Sequence, residues 1–160
     1  MILDLTVHGA DTIRFLLGDE IVEVTALTAS NGFGQGIVED SVMGAMRTSR
    51  GPLVCFHDDF NVPHAGTGVE VHGSTGSLIA YDVLMADPAG EVWFRRGDEK
   101  SKVPVGPVWP LYENVVNRFL AAIRGEGEVL ASGADGVASL AIALAALESA
   151  ARGQPVSPAV

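Results

Sequence analysis

The order of hydrophobic periods along this chain predicts an α+β fold: a mostly antiparallel open sheet with its helices packed on one face. Three observations carry that expectation. A segment of helical period opens the chain, six or seven short strand-like segments follow, and two long helical segments close it. The strand-like segments run consecutively, whereas a parallel sheet requires helices alternating with strands. Gly, Pro, Asn and Asp punctuate the strand-like stretch where hairpin turns are required.

Taken in order, residues 3–17 fit a helix. Leu3, Val7, Ala10, Ile13 and Leu17 recur at helical spacing, and Gly18 suits the left-handed residue after its end. Ile21 to Thr28 is rich in β-branched residues and reads as a strand. Asn31-Gly32-Phe33-Gly34-Gln35-Gly36 is a turn. Glu39 to Thr48 forms a second strand, and Leu53 to Phe60, after the turn Ser49-Arg50-Gly51-Pro52, forms a third. Gly68 to His72 and Ser77 to Tyr81 make a hairpin about Gly73-Ser74-Thr75-Gly76. Glu91 to Arg95 and Lys100 to Val105 are shorter strands parted by Arg96-Gly97-Asp98.

The first closing helix is expected from about Trp109 to Arg124. Pro110 lies in its first turn, and Leu111, Val115, Phe119 and Ile123 line one face. The second is expected from about Ala134 to Arg152, with Val137, Leu140, Leu144 and Leu147 as its apolar face and Gly153 at its end. Ser132 and Asp135 form a capping box with Asp in place of the usual Glu. No repeat or internal linker divides the chain, so residues 1–160 are expected to form a single domain.

Composition narrows the function classes. Of 160 residues 48% are hydrophobic, enough to build a core, and the formal net charge is −10. Nucleic acid and anionic membrane surfaces both demand clustered Lys and Arg, so neither is an expected partner. No stretch of transmembrane length is free of charge or glycine, and no secretory leader is visible. The cytoplasm is therefore the expected location. Cys55 is the one cysteine and cannot form an internal disulfide. Its apolar surroundings, Pro52-Leu53-Val54-Cys55-Phe56, predict a buried, inert thiol.

The pair most suggestive of chemistry is Asp4 and His8, in Asp4-Leu5-Thr6-Val7-His8. Four residues apart on a helix, the two side chains share one face. A carboxylate beside an imidazole orients one ring nitrogen and leaves the other to exchange a proton. Asp11 continues the stripe three residues on and is the candidate substrate contact. The same spacing also occurs on helices with no catalytic role.

The other polar clusters carry less. Gly34-Gln35-Gly36-Ile37-Val38-Glu39 places Glu where a dinucleotide loop needs its third glycine, and the run lies between two strands, so no cofactor-binding residues are assigned. His57, Asp58, Asp59 and His64 cluster locally, with His57 and Asp59 on one strand face. No further ligand has diagnostic spacing, so no metal site is assigned; a polar strand surface or contacts to sugar hydroxyls use the same residues. His72 opens a turn and reads as structural, and Arg95 and Arg96 read as a solvated strand end.

The ordered segments resemble the C-terminal, substrate-binding and dimerisation domain of the Gfo/Idh/MocA family, NAD(P)-dependent oxidoreductases of sugars and cyclitols. Leu3-Asp4-Leu5-Thr6-Val7-His8-Gly9-Ala10-Asp11 is similar to that family's D-x-x-x-H helix, and Leu16-Leu17-Gly18 followed by Val22-Glu23-Val24 to its exit into the sheet. Val69 to Leu78 resembles its hairpin. Ser132-Gly133-Ala134-Asp135-Gly136 with Leu144 to Ala150 resembles its closing helix. The resemblance implies that His8 is an acid/base on a substrate hydroxyl and that Asp4 is its partner carboxylate. It implies NAD or NADP as cofactor, not bound by this chain alone, and a homo-oligomer formed through the open sheet face. Apolar side chains at alternate strand positions, as at Val42, Val54 and Phe56, are expected to form that face. The family's nucleotide-binding Rossmann domain and its Glu-Lys-Pro lysine have no counterpart in this sequence, which leaves four readings open: a fragment, a truncated gene product, one half of a split enzyme whose partner is a separate Rossmann-domain chain, or a domain kept for another use. A non-catalytic dimerisation or sugar-binding module that kept the fold is the alternative expectation.

Overall fold

The computed structural model describes residues 1–32, 38–85, 89–106 and 110–159. A π-helical turn, Ile2–Thr6, runs directly into helix α1, Val7–Leu17. Strands β1 (Ile21–Ala29), β2 (Ser41–Thr48), β3 (Leu53–Asp59), β4 (Gly68–Gly73), β5 (Gly76–Tyr81), β6 (Glu91–Arg96) and β7 (Glu99–Val103) follow. Helices α2 (Leu111–Ile123) and α3 (Gly133–Arg152) close the chain. The strands divide between two antiparallel sheets, ordered β1-β2-β3 and β4-β5-β6-β7. The α+β class and the antiparallel pairing are as the sequence predicts. Trp109, the expected start of α2, lies outside the described residues, as do residues 33–37 of the glycine-rich turn.

The chain forms two compact units. Met1–Pro63 with Ala131–Val160 is one, and His64–Leu130 is the other. In the first, the π-turn, α1 and α3 cover one face of β1-β2-β3. Ile2, Ala10, Val24, Val42, Met46, Ile142 and Ala146 make the core between them. Gly44 keeps β2 close to its neighbours: a Cβ there would sit 2.2 Å from the Thr25 carbonyl and 2.7 Å from the Phe56 ring. The outer edge of β1 is also covered. Val24 exchanges backbone hydrogen bonds with Val156, and the Ala26 N–H donates to Ser149 Oγ at 3.1 Å.

Three expectations fail in this unit, each through a choice of face. Val42, Val54 and Phe56, expected on the open sheet face, point to the helices, and Val42 is fully buried. The open face instead carries the opposite parity, including Leu27, Met43 and Leu53. Cys55, expected to be buried, lies on that open side and is exposed, because an unbroken apolar run conceals which way the pleat alternates.

On α3 the buried face is Ala138, Ser139, Ala141, Ile142, Ala145, Ala146 and Ser149; of the expected row Leu147 packs against the core, while Val137, Leu140 and Leu144 stand exposed. Small side chains let the helix backbone approach the sheet and α1 closely; a leucine face would hold them apart. α3 is long and apolar enough, by length and composition, to cross a membrane, and its packed small-residue face is that of a core helix. Its capping box is as expected: Ser132 Oγ accepts the Asp135 N–H, and the Asp135 carboxylate accepts the Ser132 N–H.

In the second unit the β4–β5 hairpin turns through Ser74 and Thr75, with Gly73 opposite Gly76. Gly76 has φ +156 and lies under the Phe94 ring, leaving no room for a Cβ. One face of this sheet carries Tyr81, Trp93 and Lys100; the Lys100 ammonium sits 4.7 Å from the Trp93 ring centroid and 5.2 Å from that of Tyr81. Helix α2 has the expected apolar row, Leu111, Val115, Phe119 and Ile123, but none of it is buried.

Candidate functional site

Asp4 and His8 do not share one regular helix, as expected, but straddle a junction. Asp4 lies in the π-turn, and His8 is the second residue of α1. The turn is wide: the Val7 N–H reaches back to the Ile2 carbonyl, one residue further than an α-helix allows. Both side chains are exposed. Among the described residues no hydrogen bond or ion pair joins them, and the two groups stand open at the surface.

Two part-buried hydrogen bonds flank the turn. Thr6, 1% exposed, donates its hydroxyl to Asp58 Oδ2 on β3 at 2.7 Å. At the other end, the Ile2 N–H donates to Glu39 Oε1 at 3.0 Å. Burial opposes ionisation of Glu39, but the N–H groups and positive charge around it win, and its carboxyl stays below the usual range. Leu3, Asp4 and Leu5, between the two anchors, are all exposed.

Asp11, on the next turn, is engaged by neighbours. Its Oδ1 accepts the Ser139 hydroxyl from α3 at 3.1 Å and lies 3.6 Å from Arg14 Nη1. Arg14 itself makes a two-pronged contact to Glu20 at 2.7 and 2.8 Å and reaches Asp135 at 3.3 Å. Hydrogen bonding to Glu20 raises the guanidinium pKa further above its usual value. This network seats α1 against the start of α3.

Two structural groups carried no signal in the sequence. Asp19, buried after the end of α1, accepts the Ser49 hydroxyl and the Glu20 and Arg50 N–H groups. The Ser49 hydrogen bond leads the causes that hold its carboxyl far below the ordinary range, against the opposing effect of burial. Arg50 then caps the Leu17 and Gly18 carbonyls. The sequence offered only a turn-forming Ser49-Arg50-Gly51 to hint at this corner.

The His57–Asp59 cluster divides as pleating requires. His57 Nε2 is 3.7 Å from Asp59 Oδ2, and Asp58 points the opposite way, to Thr6. Asp59 is held below its usual pKa chiefly by the Ser41 hydroxyl, with the Asn61 N–H adding to it. Among the described residues no group of three or more His, Cys, Asp or Glu converges as metal ligands would. His72 Nδ1 is 2.9 Å from Ser77 Oγ across the β4–β5 hairpin, a local structural contact.

A dinucleotide would meet acidic or occupied starts at α2 and α3. Its pyrophosphate needs free N–H groups at a helix start that follows a strand and a glycine turn. α1 continues from the π-turn, α2 carries Glu113 in its first turn, and the first turn of α3 is occupied by the Asp135 carboxylate.

Comparison with known proteins agrees with this architecture. Residues 1–79 match the family model described as the GFO/IDH/MocA C-terminal domain. The chain is 46% identical over 154 residues to 1,5-anhydro-D-fructose reductase from Ensifer adhaerens, covering 96% of this chain and 46% of the relative. It is 32% identical over 163 residues to inositol 2-dehydrogenase from Rhizobium meliloti (strain 1021), covering 96% and 48%. An oxidoreductase from Agrobacterium radiobacter, solved in complex with NAD+, L-tartaric acid and magnesium, shares the fold at a TM-score of 0.77. It is 22% identical, with 98% of this chain and 48% of that one covered. The chain thus spans about half the length of the curated relatives it matches. On its sequence match and its fold together, the chain belongs to the Gfo/Idh/MocA family of oxidoreductases, as a C-terminal domain.

Proposed function

We propose that this chain is the substrate-side domain of an NAD(P)-dependent oxidoreductase acting on a sugar or cyclitol hydroxyl. The observation that carries the reading is the 46% identity to an anhydrofructose reductase across nearly the whole chain. It is supported by an exposed Asp4–His8 pair at a π-turn, a distortion often found at functional sites. In this reading His8 takes the hydroxyl proton as the substrate is oxidised and returns it in reduction. Asp4 stabilises the protonated ring, and Asp11, with Oδ1 engaged by Ser139, offers its other oxygen to a substrate hydroxyl. The hydride half belongs to a nicotinamide cofactor, which these residues do not hold; a nucleotide-binding domain supplies it, and the chain alone is inactive.

The reading also makes the open face of β1-β2-β3 a homodimer surface. Leu27 is 72% exposed, Leu53 69% and Met43 56%, an apolar set on a flat antiparallel face. A stable monomer by light scattering at high micromolar concentration would count against that part. The protein works in the cytoplasm, where an unpaired surface thiol such as Cys55 stays reduced.

The test mixes this chain with the portion of the Ensifer adhaerens reductase that it does not match, and follows NAD(P)H consumption with 1,5-anhydro-D-fructose. Turnover should appear, and His8→Ala should lower kcat by roughly 10²–10⁴-fold. Turnover indifferent to His8→Ala removes the acid/base role. Tight NAD(P) binding to this chain alone, by calorimetry, overturns the division of labour.

A further inference from the structure

The π-turn that carries Asp4 ahead of His8 is an uncommon local geometry. Its hydrogen bond spans one residue more than that of an α-helix. Relaxing it to α would shift the register by one residue. At 3.6 residues per turn, that swings Asp4 by about 100° around the axis relative to His8. The geometry of the acid/base pair therefore depends on whatever locks the turn.

We propose that Asp58, acting through the buried Thr6 hydroxyl, is a positioning residue that holds the π-turn and so sets Asp4 against His8. Three observations assign this to Asp58. Thr6 is the last residue of the turn, 1% exposed, and its hydroxyl goes to Asp58 Oδ2 at 2.7 Å across 52 positions of sequence. A hydroxyl donating to a carboxylate is among the stronger side-chain hydrogen bonds. The opposite end of the turn is tied to the same sheet-bearing unit by Ile2 N–H and Glu39. Between the anchors, the Asp4 N–H donates to the Met1 carbonyl at 3.0 Å, and among the described residues its side chain makes no hydrogen bond or ion pair that would set its direction. Among the described residues no hydrogen bond or ion pair joins Asp58 to Asp4 or His8, and its route to them is Thr6.

This inference rests on the acid/base reading for its catalytic consequence but not for its structural core, and the experiment separates the two. Thr6→Val keeps the shape and removes the hydroxyl; Thr6→Ser keeps the hydroxyl; Asp58→Ala breaks the bond from the other side. In the full chain, NMR should show Thr6→Val and Asp58→Ala moving the backbone resonances of residues 3–8 and speeding Val7 amide exchange at least tenfold. Thr6→Ser should restore both. In the mixture with the nucleotide-binding portion, Thr6→Val should lower kcat at least tenfold while the substrate KM changes less than twofold, and Thr6→Ser should recover most of the loss. Thr6→Val that folds with residues 3–8 and the Val7 amide unchanged overturns the proposal, as does an Asp58→Ala chain with the same result. A wild-type mixture without turnover sinks the enzymatic reading, and the NMR result still decides the clamp.

Discussion

The two compact units meet similar backbone demands with very different burial. The unit formed by Met1–Pro63 and Ala131–Val160 sets two helices and a π-turn on a three-stranded sheet and buries Ile2, Val24, Val42, Met46 and Ile142 almost completely. The unit His64–Leu130 has a four-stranded sheet of shorter strands and an amphipathic helix, yet among its described residues only Ile79 is buried. Its larger side chains, Leu78, Phe94, Phe119 and Ile123 among them, stay in contact with solvent. Paired strands satisfy the backbone, but most stabilisation comes from apolar area removed from water. On burial alone, the second unit should be the less stable of the two and the one that opens first.

The sharpest way to break that contrast is by truncating side chains. Met46→Ala or Ile142→Ala should cost about 2–5 kcal/mol in urea unfolding, as fully buried large side chains do. Phe119→Ala, at 55% exposed, should fall within about 0.5 kcal/mol. Similar losses at the two places would remove the difference in burial as an explanation. Hydrogen exchange gives the same comparison without mutation: amides of β2 should outlast those of β6 and α2 by orders of magnitude.

Acid sharpens the comparison further, because the strongest pKa perturbation of a carboxyl belongs to the first unit. Asp19 has its folded pKa lowered by Ser49 and its neighbours. A lowered carboxylate stabilises the fold fully above the ordinary range, and that contribution is lost as pH falls from about 4 through the native value. Asp19→Asn should lower stability at pH 7 and flatten its decline below about pH 4. An unchanged acid limb would show that Asp19 does not carry it.

The smallest expected effect is at the start of α3. Ser132→Ala removes the acceptor for the Asp135 N–H and should cost about 1 kcal/mol. Because α3 packs on the first unit, the loss should appear in that unit's transition and leave exchange in β4–β7 untouched.

The sequence by itself determined what is local. Periodicity located every described strand and helix to within a few residues, and Ser132 and Asp135 marked a cap. These depend on residues close in the chain, whose propensities and spacings are written there. Tertiary structure decided which face of each element turns inward. Val42, Val54 and Phe56 went to the helices and Cys55 to the outside, and α3 buried mainly alanines while Leu140 and Leu144 faced out, because close approach between backbones favours small side chains over large ones. It also decided that the Asp4–His8 segment is not one continuous α-helix. That π-turn is held by Asp58 and Glu39, 52 and 37 positions away from their partners, a distance at which no spacing rule in a single sequence can connect them.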